Sequence, residues 1–160
     1  MQIAKDGRTA LIFCPQKNLV ASLARKLLDV YDRGALERLV EDSAQLERAK
    51  RVGREWLGSD HPAVLCLNVG VAVHHAGLPK AYLREIENLL RARQLPIVIA
   101  SPTLAQGLNL SASTLLMYSI RRGTKVISGE DFGNVIGRAG RAHVDIDGQI
   151  LYVLFEPTGL

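Results

Sequence analysis

Pro96-Ile97-Val98-Ile99-Ala100-Ser101-Pro102-Thr103 decides the fold. Ile97 to Ala100 is an unbroken apolar run. A strand with one wet face alternates apolar and polar side chains, whereas a run like this belongs to a parallel sheet buried on both faces. Upstream of it, Leu78-Pro79 opens a helix whose buried stripe is Tyr82, Leu83, Ile86, Leu89 and Leu90, with Arg84, Glu85, Glu87, Arg91 and Arg93 expected to face out. Before that, the run AVLCLNVGVAV divides into a short helix through Leu67 and a strand from Val71 to His74, with Gly70 near the break and Ser59 or Asp60 as the expected cap. Residues 35–57 are charge-rich with a sparse apolar minority (Leu36, Leu39, Val40, Leu46, Ala49, Val52, Trp56), which predicts one long surface helix or two short ones. At the start, Thr9–Cys14 reads as a buried strand stopped by Pro15, followed by an amphipathic helix from Lys17 to Asp29. Downstream, Leu115–Ile120 and Gln149–Phe155 read as strands, and Gly129–Ala139 as a turn and short helix. Strands alternating with helices give an α/β fold with a mostly parallel sheet.

The composition limits what such a fold can be. At 160 residues the chain has the size of one domain spanning residues 1–160. With 48% hydrophobic and 22% charged residues it is an ordinary globular sequence, not a disordered one. The surplus of 20 Lys+Arg over 16 Asp+Glu leaves a net charge of +4, which permits a nucleic-acid partner without demanding one. Cys14 and Cys66 both lie in apolar runs without a second Cys or His at metal-ligand spacing, so both are expected to be buried reduced thiols. There is no apolar run of the ~18 residues a membrane span needs. The opening MQIAKDGRTA lacks the architecture of a signal peptide. The expectation is a cytoplasmic, soluble, monomeric domain, and the abrupt start suggests a fragment of a longer protein.

In open parallel sheets ligands lie beyond the carboxyl ends of the strands. Here each strand runs into polar or glycine-containing residues: Pro15-Gln16-Lys17, His74-His75-Ala76-Gly77, Ser101-Pro102-Thr103 and Arg121-Arg122-Gly123. One edge of the sheet is therefore expected to carry a surface built from several loops. Dinucleotides, phosphosugars and phosphoryl groups all suit such an edge, and periodicity does not choose among them.

The segment Asn134-Val135-Ile136-Gly137-Arg138-Ala139-Gly140-Arg141 places two arginines three residues apart. Such a pair can fork onto phosphate oxygens, with the glycines allowing close backbone approach; it can equally be two surface arginines in a glycine-rich turn. The segment resembles motif VI of the superfamily-2 helicases, QxxGRxGR, with Asn134 where that family usually has Gln. The resemblance implies that Arg138 and Arg141 reach ATP held by a partner lobe, Arg141 being the favoured arginine finger. It also places Asn134 and Gly137 beside the nucleotide.

Three further strings appear in family order. Ile97–Leu110 resembles motif V: hydroxyls and free N–H groups at a strand-to-helix turn suit phosphate, although Thr103 by itself also suits a plain helix cap. By resemblance Ser101 and Thr103 meet a nucleic-acid backbone, while Gly107 and Asn109 face the nucleotide. Val73-His74-His75-Ala76-Gly77-Leu78-Pro79 is similar to the HHAGL segment of the superkiller-like branch, which makes His75 and Gly77 candidate strand contacts and leaves His74 packed. A shared metal is disfavoured because adjacent strand residues point to opposite faces, so no metal site is expected. Ala10–Lys17 resembles motif IV, with Phe13 in the core and Gln16 and Lys17 as strand contacts.

The resemblance runs from about residue 9 to 155 and implies a RecA-like, P-loop-NTPase-type three-layer domain, the second motor lobe of a DNA or RNA helicase. Its partners would be single-stranded DNA or RNA and the N-terminal RecA-like lobe. Neither a GxxxxGK[ST] loop nor a DExH box occurs in these residues, so ATP with Mg²⁺ is expected to be held mainly by that other lobe, and this chain alone to be inactive. Two rival readings differ in class. One is a non-catalytic nucleic-acid-binding or protein-docking module with the same fold. The other is a Rossmann-type enzyme, which requires a GxGxxG after the first strand where Cys14-Pro15-Gln16-Lys17-Asn18 stands.

Overall fold

A computed structural model describes residues 9–102, 114–122, 124–136 and 149–152. The elements in chain order are β1 (Ala10–Phe13), α1 (Lys17–Asp32), α2 (Ala44–Leu57), α3 (Pro62–Val69), β2 (Val71–His74), α4 (Lys80–Arg91), β3 (Ile97–Ala100), β4 (Thr114–Met117), the short β5 (Arg121–Arg122) and β6 (Lys125–Val126), α5 (Gly129–Ile136) and β7 (Gln149–Tyr152). Five strands form one sheet in the order β2-β3-β1-β4-β7, and each neighbouring pair is parallel. β3 is buried at all four positions, as its apolar run requires.

The β1-to-β2 and β2-to-β3 connections cross the sheet in opposite directions, so right-handed crossovers place α1 and α4 on opposite faces. α3 packs on α1, and α2 packs on both α3 and α4, so the helices close around the β2 edge. Leu11, Phe13, Val20, Leu67, Tyr82, Ile86, Leu89, Ile99, Leu115 and Met117 belong to the continuous core between these layers. This is the expected α/β architecture with a parallel central sheet.

Residues 35–43 depart from the expected helix. Leu36, Leu39 and Val40 have helical spacing, yet the segment is irregular and lies over the end of α3. Leu39 N–H donates to Val69 O at 2.8 Å and Arg38 Nε to Asn68 O at 3.0 Å. The end of a helix leaves carbonyls without partners inside it, and here a tertiary bond outweighs local propensity. Gly70 permits the contact. It sits at φ +95°, and a Cβ on it would meet Val40 Cβ at 3.0 Å and Leu39 at 3.2 Å. Only the second half of the charge-rich stretch is helical, starting where Ser43 Oγ accepts from Leu46 N–H at 3.1 Å.

Other expectations are corrected in detail. α3 is capped not by Ser59 or Asp60 but by His61, whose Nδ1 accepts from Ala63 N–H at 3.2 Å. Glu85 does not face out: it is 8% exposed, and its carboxylate pairs with Arg48 of α2 at 3.0 Å. α1 continues to Asp32 rather than ending at Asp29. β4 ends at Met117, not Ile120, because the chain turns into the β5–β6 hairpin. The last strand is described only as Gln149–Tyr152, and Ala139 lies outside the described residues. Cys14 and Cys66 are buried free thiols, as expected, and burial pushes both up to about 12. Phe13 is core, at 1% exposure.

At Gly53 α2 lies close against both α3 and α4. A Cβ there would lie 2.8 Å from Val64 Cγ2 and 2.9 Å from Tyr82 Cε2. Tyr82 is held in place because its hydroxyl donates to Ala63 O at 2.8 Å. Gly53→Ala gains up to about 1 kcal/mol of helix propensity against ~1–3 kcal/mol of overpacking. The expected outcome is a net loss of about 1–2 kcal/mol, read as a lower urea midpoint at unchanged slope. A midpoint equal to or above the parent's would show that α2 has room to move away.

Candidate functional site

Strand register builds the site. Phe13 pairs with Ala100 and with Met117, Ala100 with His74, and Met117 with Tyr152, so all five strands end at one level. Backbone bonds continue past that level. Cys14 N–H donates to Ala100 O at 2.8 Å, Ser101 N–H to His74 O at 3.1 Å and Tyr118 N–H to Phe13 O at 3.0 Å. The first residues of the loops after β1, β3 and β4 are thereby fixed side by side along the carboxyl edge, with the end of β2 beside them.

This edge brings together Gln16, Lys17, His75, Gly77 and Ser101. Ser101 is buried, Gln16 and His75 are half-buried, and Lys17 and Gly77 are exposed. Gly77 N–H donates to His75 Nδ1 at 3.1 Å. A Cβ on Gly77 would lie 3.1 Å from that nitrogen and 3.9 Å from Lys17 Cδ. The His75 ring, the Gly77 backbone and the Lys17 stem thus share one small surface. Because Nδ1 accepts, the neutral ring carries its proton on Nε2, where it can donate to a ligand. Burial, then the charges of His74, His61 and Lys17, lower the His75 pKa and favour that neutral form.

His74 faces inward, as expected for a packed residue. It is 5% exposed. Its Nε2 lies 3.4 Å from Glu87 Oε1, while its buried Nδ1 has no partner. Burial lowers its pKa against the opposing pull of Glu87. Among the described residues no group of three or more His, Cys, Asp or Glu side chains converges as a metal site.

Thr103, Gly107, Asn109, Gly137, Arg138 and Arg141 lie outside the described residues. Asn134 is described and exposed, in the last turn of α5. The Arg121-Arg122 loop proves to be one arm of a hairpin, with Arg121 opposite Val126 and Arg122 opposite Lys125. Its three basic residues are exposed, and Arg122 Nε donates to Pro15 O at 3.3 Å, tying the hairpin to the β1 loop. The sequence carried a signal for this, since Gly123-Thr124 is a Gly-X pair of the kind two-residue hairpin loops use.

Parallel strands, a loop-built cationic edge and a helix-covered core define the class: a RecA-like α/β motor-lobe fold. Residues 47–143 match the helicase conserved C-terminal domain, and the chain belongs to that family. It is 30% identical over 93% of its length to the Hachiman protein HamB of Bacillus cereus, covering 13% of that protein. It is 30% identical over 88% of its length to the ATP-dependent DNA helicase Hel308 of Thermoplasma volcanium, covering 20% of it. An uncharacterized helicase of Dictyostelium discoideum is 32% identical over 82% of this chain, which spans 8% of that relative. The chain therefore spans a fifth or less of these curated relatives. Among the described residues no helix is long and apolar enough to cross a membrane.

The pKa values of His61, His74 and His75 are all lowered, with burial the largest cause in each. The folded state therefore binds fewer protons than the unfolded one. The stability this gives is complete above the unfolded value near 6.5 and is lost as pH falls through the lower folded values. The chain should be less stable at pH 5.5 than at pH 7.5, with protons taken up on unfolding. Imidazole NMR titrations of His61, His74 and His75 in the folded chain should have midpoints below those of the same residues in the unfolded chain; midpoints at or above that value would refute the assignment.

Proposed function

We propose that this chain is the second motor lobe of an ATP-dependent helicase of the superkiller-like branch, acting on one nucleic-acid strand. The observation that carries the reading is the register-aligned carboxyl edge, which brings the motif IV, motif V and His-His-Ala-Gly segments to one surface. Lys17 and His75 Nε2–H hold successive phosphates of the strand, and Gly77, whose N–H orients the His75 ring, has no side chain to block the approach. Gln16, Ser101 and Thr103 complete that contact, and the Arg121–Lys125 hairpin adds positive charge beside it. Phosphate contacts of this kind position a strand without reading its sequence.

On the other side of the same edge, Gly107, Asn109, Asn134 and Gly137 face ATP bound to the preceding lobe. Arg138 and Arg141 present guanidinium groups to its terminal phosphate, where they neutralise charge that develops in the transition state. Mg²⁺ needs oxygen ligands, and with no DExH box in this sequence its carboxylate ligands are assigned to the other lobe. Closure of the two lobes brings the arginines to the triphosphate, and loss of the terminal phosphate removes their partner. The strand-holding loops shift with the arginines. Alone, the chain hydrolyses nothing.

In the full-length protein, Arg141→Ala should slow ATP hydrolysis by about 10³–10⁵ with strand binding nearly intact; turnover at the parental rate would remove the finger assignment. Lys17→Ala should weaken strand binding and reduce the slope of log affinity against log salt by about 0.7, one phosphate's worth on a single strand. An unchanged slope would take Lys17 out of the interface.

A further inference from the structure

Trp56 is the sole tryptophan of the chain and is 59% exposed. Its place follows from how α2 and α4 run past each other. At the lower end Gln94 meets Ser43, at 2.7 Å, and Gln45. Higher up Arg48 pairs with Glu85, and higher still Gly53 lies against Tyr82. The helices are antiparallel, so the next turn sets Trp56 level with Pro79, Lys80 and Ala81. Trp56 is about three turns past Gln45, so it lies on the same side of α2, the side that lines the groove with Arg48, Glu85 and Asn88. Ala81 shares the α4 side of that groove through its helical spacing with Glu85 and Asn88. The exposed indole therefore stands at the top of the groove, beside the first turn of α4. That turn begins directly after His75-Ala76-Gly77.

We propose that Trp56 is a stacking platform for a nucleobase of the strand whose backbone is held by His75 and Lys17. The inference rests on the motor-lobe reading and extends its strand path around the β2 edge. Base–aromatic stacking is sequence-tolerant and is typically combined with a positively charged track for the backbone. Lys80 and Arg84 are exposed in the first turns of α4, and Ala81 is exposed and small, leaving space beside the ring. The other large exposed hydrophobic residues among those described, Val30, Ile120, Val126 and Leu151, are on different elements. The indole is thus a single aromatic among charged residues. Protein interfaces instead have an apolar core depleted of lysine and acids. The occupant of this corner is a nucleic-acid strand rather than another folded domain.

The 160-residue chain tests this directly, because its tryptophan emission reports one residue. Titration with a labelled dT 20-mer and rU 20-mer at low salt should quench that emission along the same isotherm as the label's anisotropy. Trp56→Ala should weaken binding by about 5- to 150-fold and Trp56→Phe much less. An abasic sugar–phosphate strand should bind the parent and Trp56→Ala alike. Emission unchanged at saturation, or a Trp56→Ala chain that binds like its parent, overturns the stacking role and leaves the motor-lobe reading standing. Failure of every variant to bind any strand overturns both. Emission that shifts only when other parts of the full-length protein are added would show a domain to be the occupant and also overturn the proposal.

Discussion

Three backbone hydrogen bonds beyond the ends of the strands set the working surface: Cys14 to Ala100, Ser101 to His74, and Tyr118 to Phe13. Parallel pairing fixes the register of the strands themselves, since a slip of one residue would turn every side chain to the opposite face. The loops after β1, β2, β3 and β4 come from positions far apart in sequence. They become neighbours only because this register ends all the strands at one level. The same constraint explains the burial of Ser101 and His74. Both lie at the level where the sheet stops, beneath loops that carry Lys17, His75 and Gly77 outward.

Much of this layout was legible in the sequence wherever local pattern and tertiary environment agree. The Ile97–Ala100 run could be read because burial on both faces leaves no alternation, and the Tyr82–Leu90 stripe because one helix face meets the core. The packing of His74 was implied by the resemblance of its segment, and the structure buries it. Where the reading failed, a distant partner decided the outcome. Leu36, Leu39 and Val40 have helical spacing, but the carbonyls of Asn68 and Val69 hold that segment in an irregular path. Glu85 belongs by pattern to the polar face of α4, yet Arg48 from α2 pairs with it at the edge of the core. His61 caps α3 with a ring nitrogen, a role that the usual Ser and Asp signals concealed. None of these partners is near in sequence except His61's.

The arginine pair shows a different limit. Arg138 and Arg141 are separated by a spacing that suits phosphate and suits an idle surface turn equally well. The role proposed for them rests on the resemblance of their segment to the family's motif, not on spacing. A guanidinium that completes a site on another lobe gains its meaning from that partner. Trp56 illustrates the converse. In the sequence it was one apolar residue among charges, and only the antiparallel run of α2 past α4 shows that it stands beside the loop after β2.

In the proposed motor, hydrolysis at one side of the edge must be felt at the strand on the other, and the fold provides a short physical route. Phe13 O accepts from Tyr118 N–H beyond β1 and β4, Ile120 O accepts from Ile127 N–H at the base of the hairpin at 2.8 Å, and α5 begins at Gly129. Arg122 Nε bound to Pro15 O adds a second tie between the hairpin and the loop that carries Gln16 and Lys17. Every link is a backbone bond or a single side chain on backbone, with no flexible side-chain pair between. These bonds tie the hairpin that precedes α5 to the β1 loop. Coupling through packed, hydrogen-bonded elements needs no change of fold within the lobe. In the proposed motor, the variable is then the angle between this lobe and its partner, and the hairpin is the described element that lies between the strand-holding loops and α5.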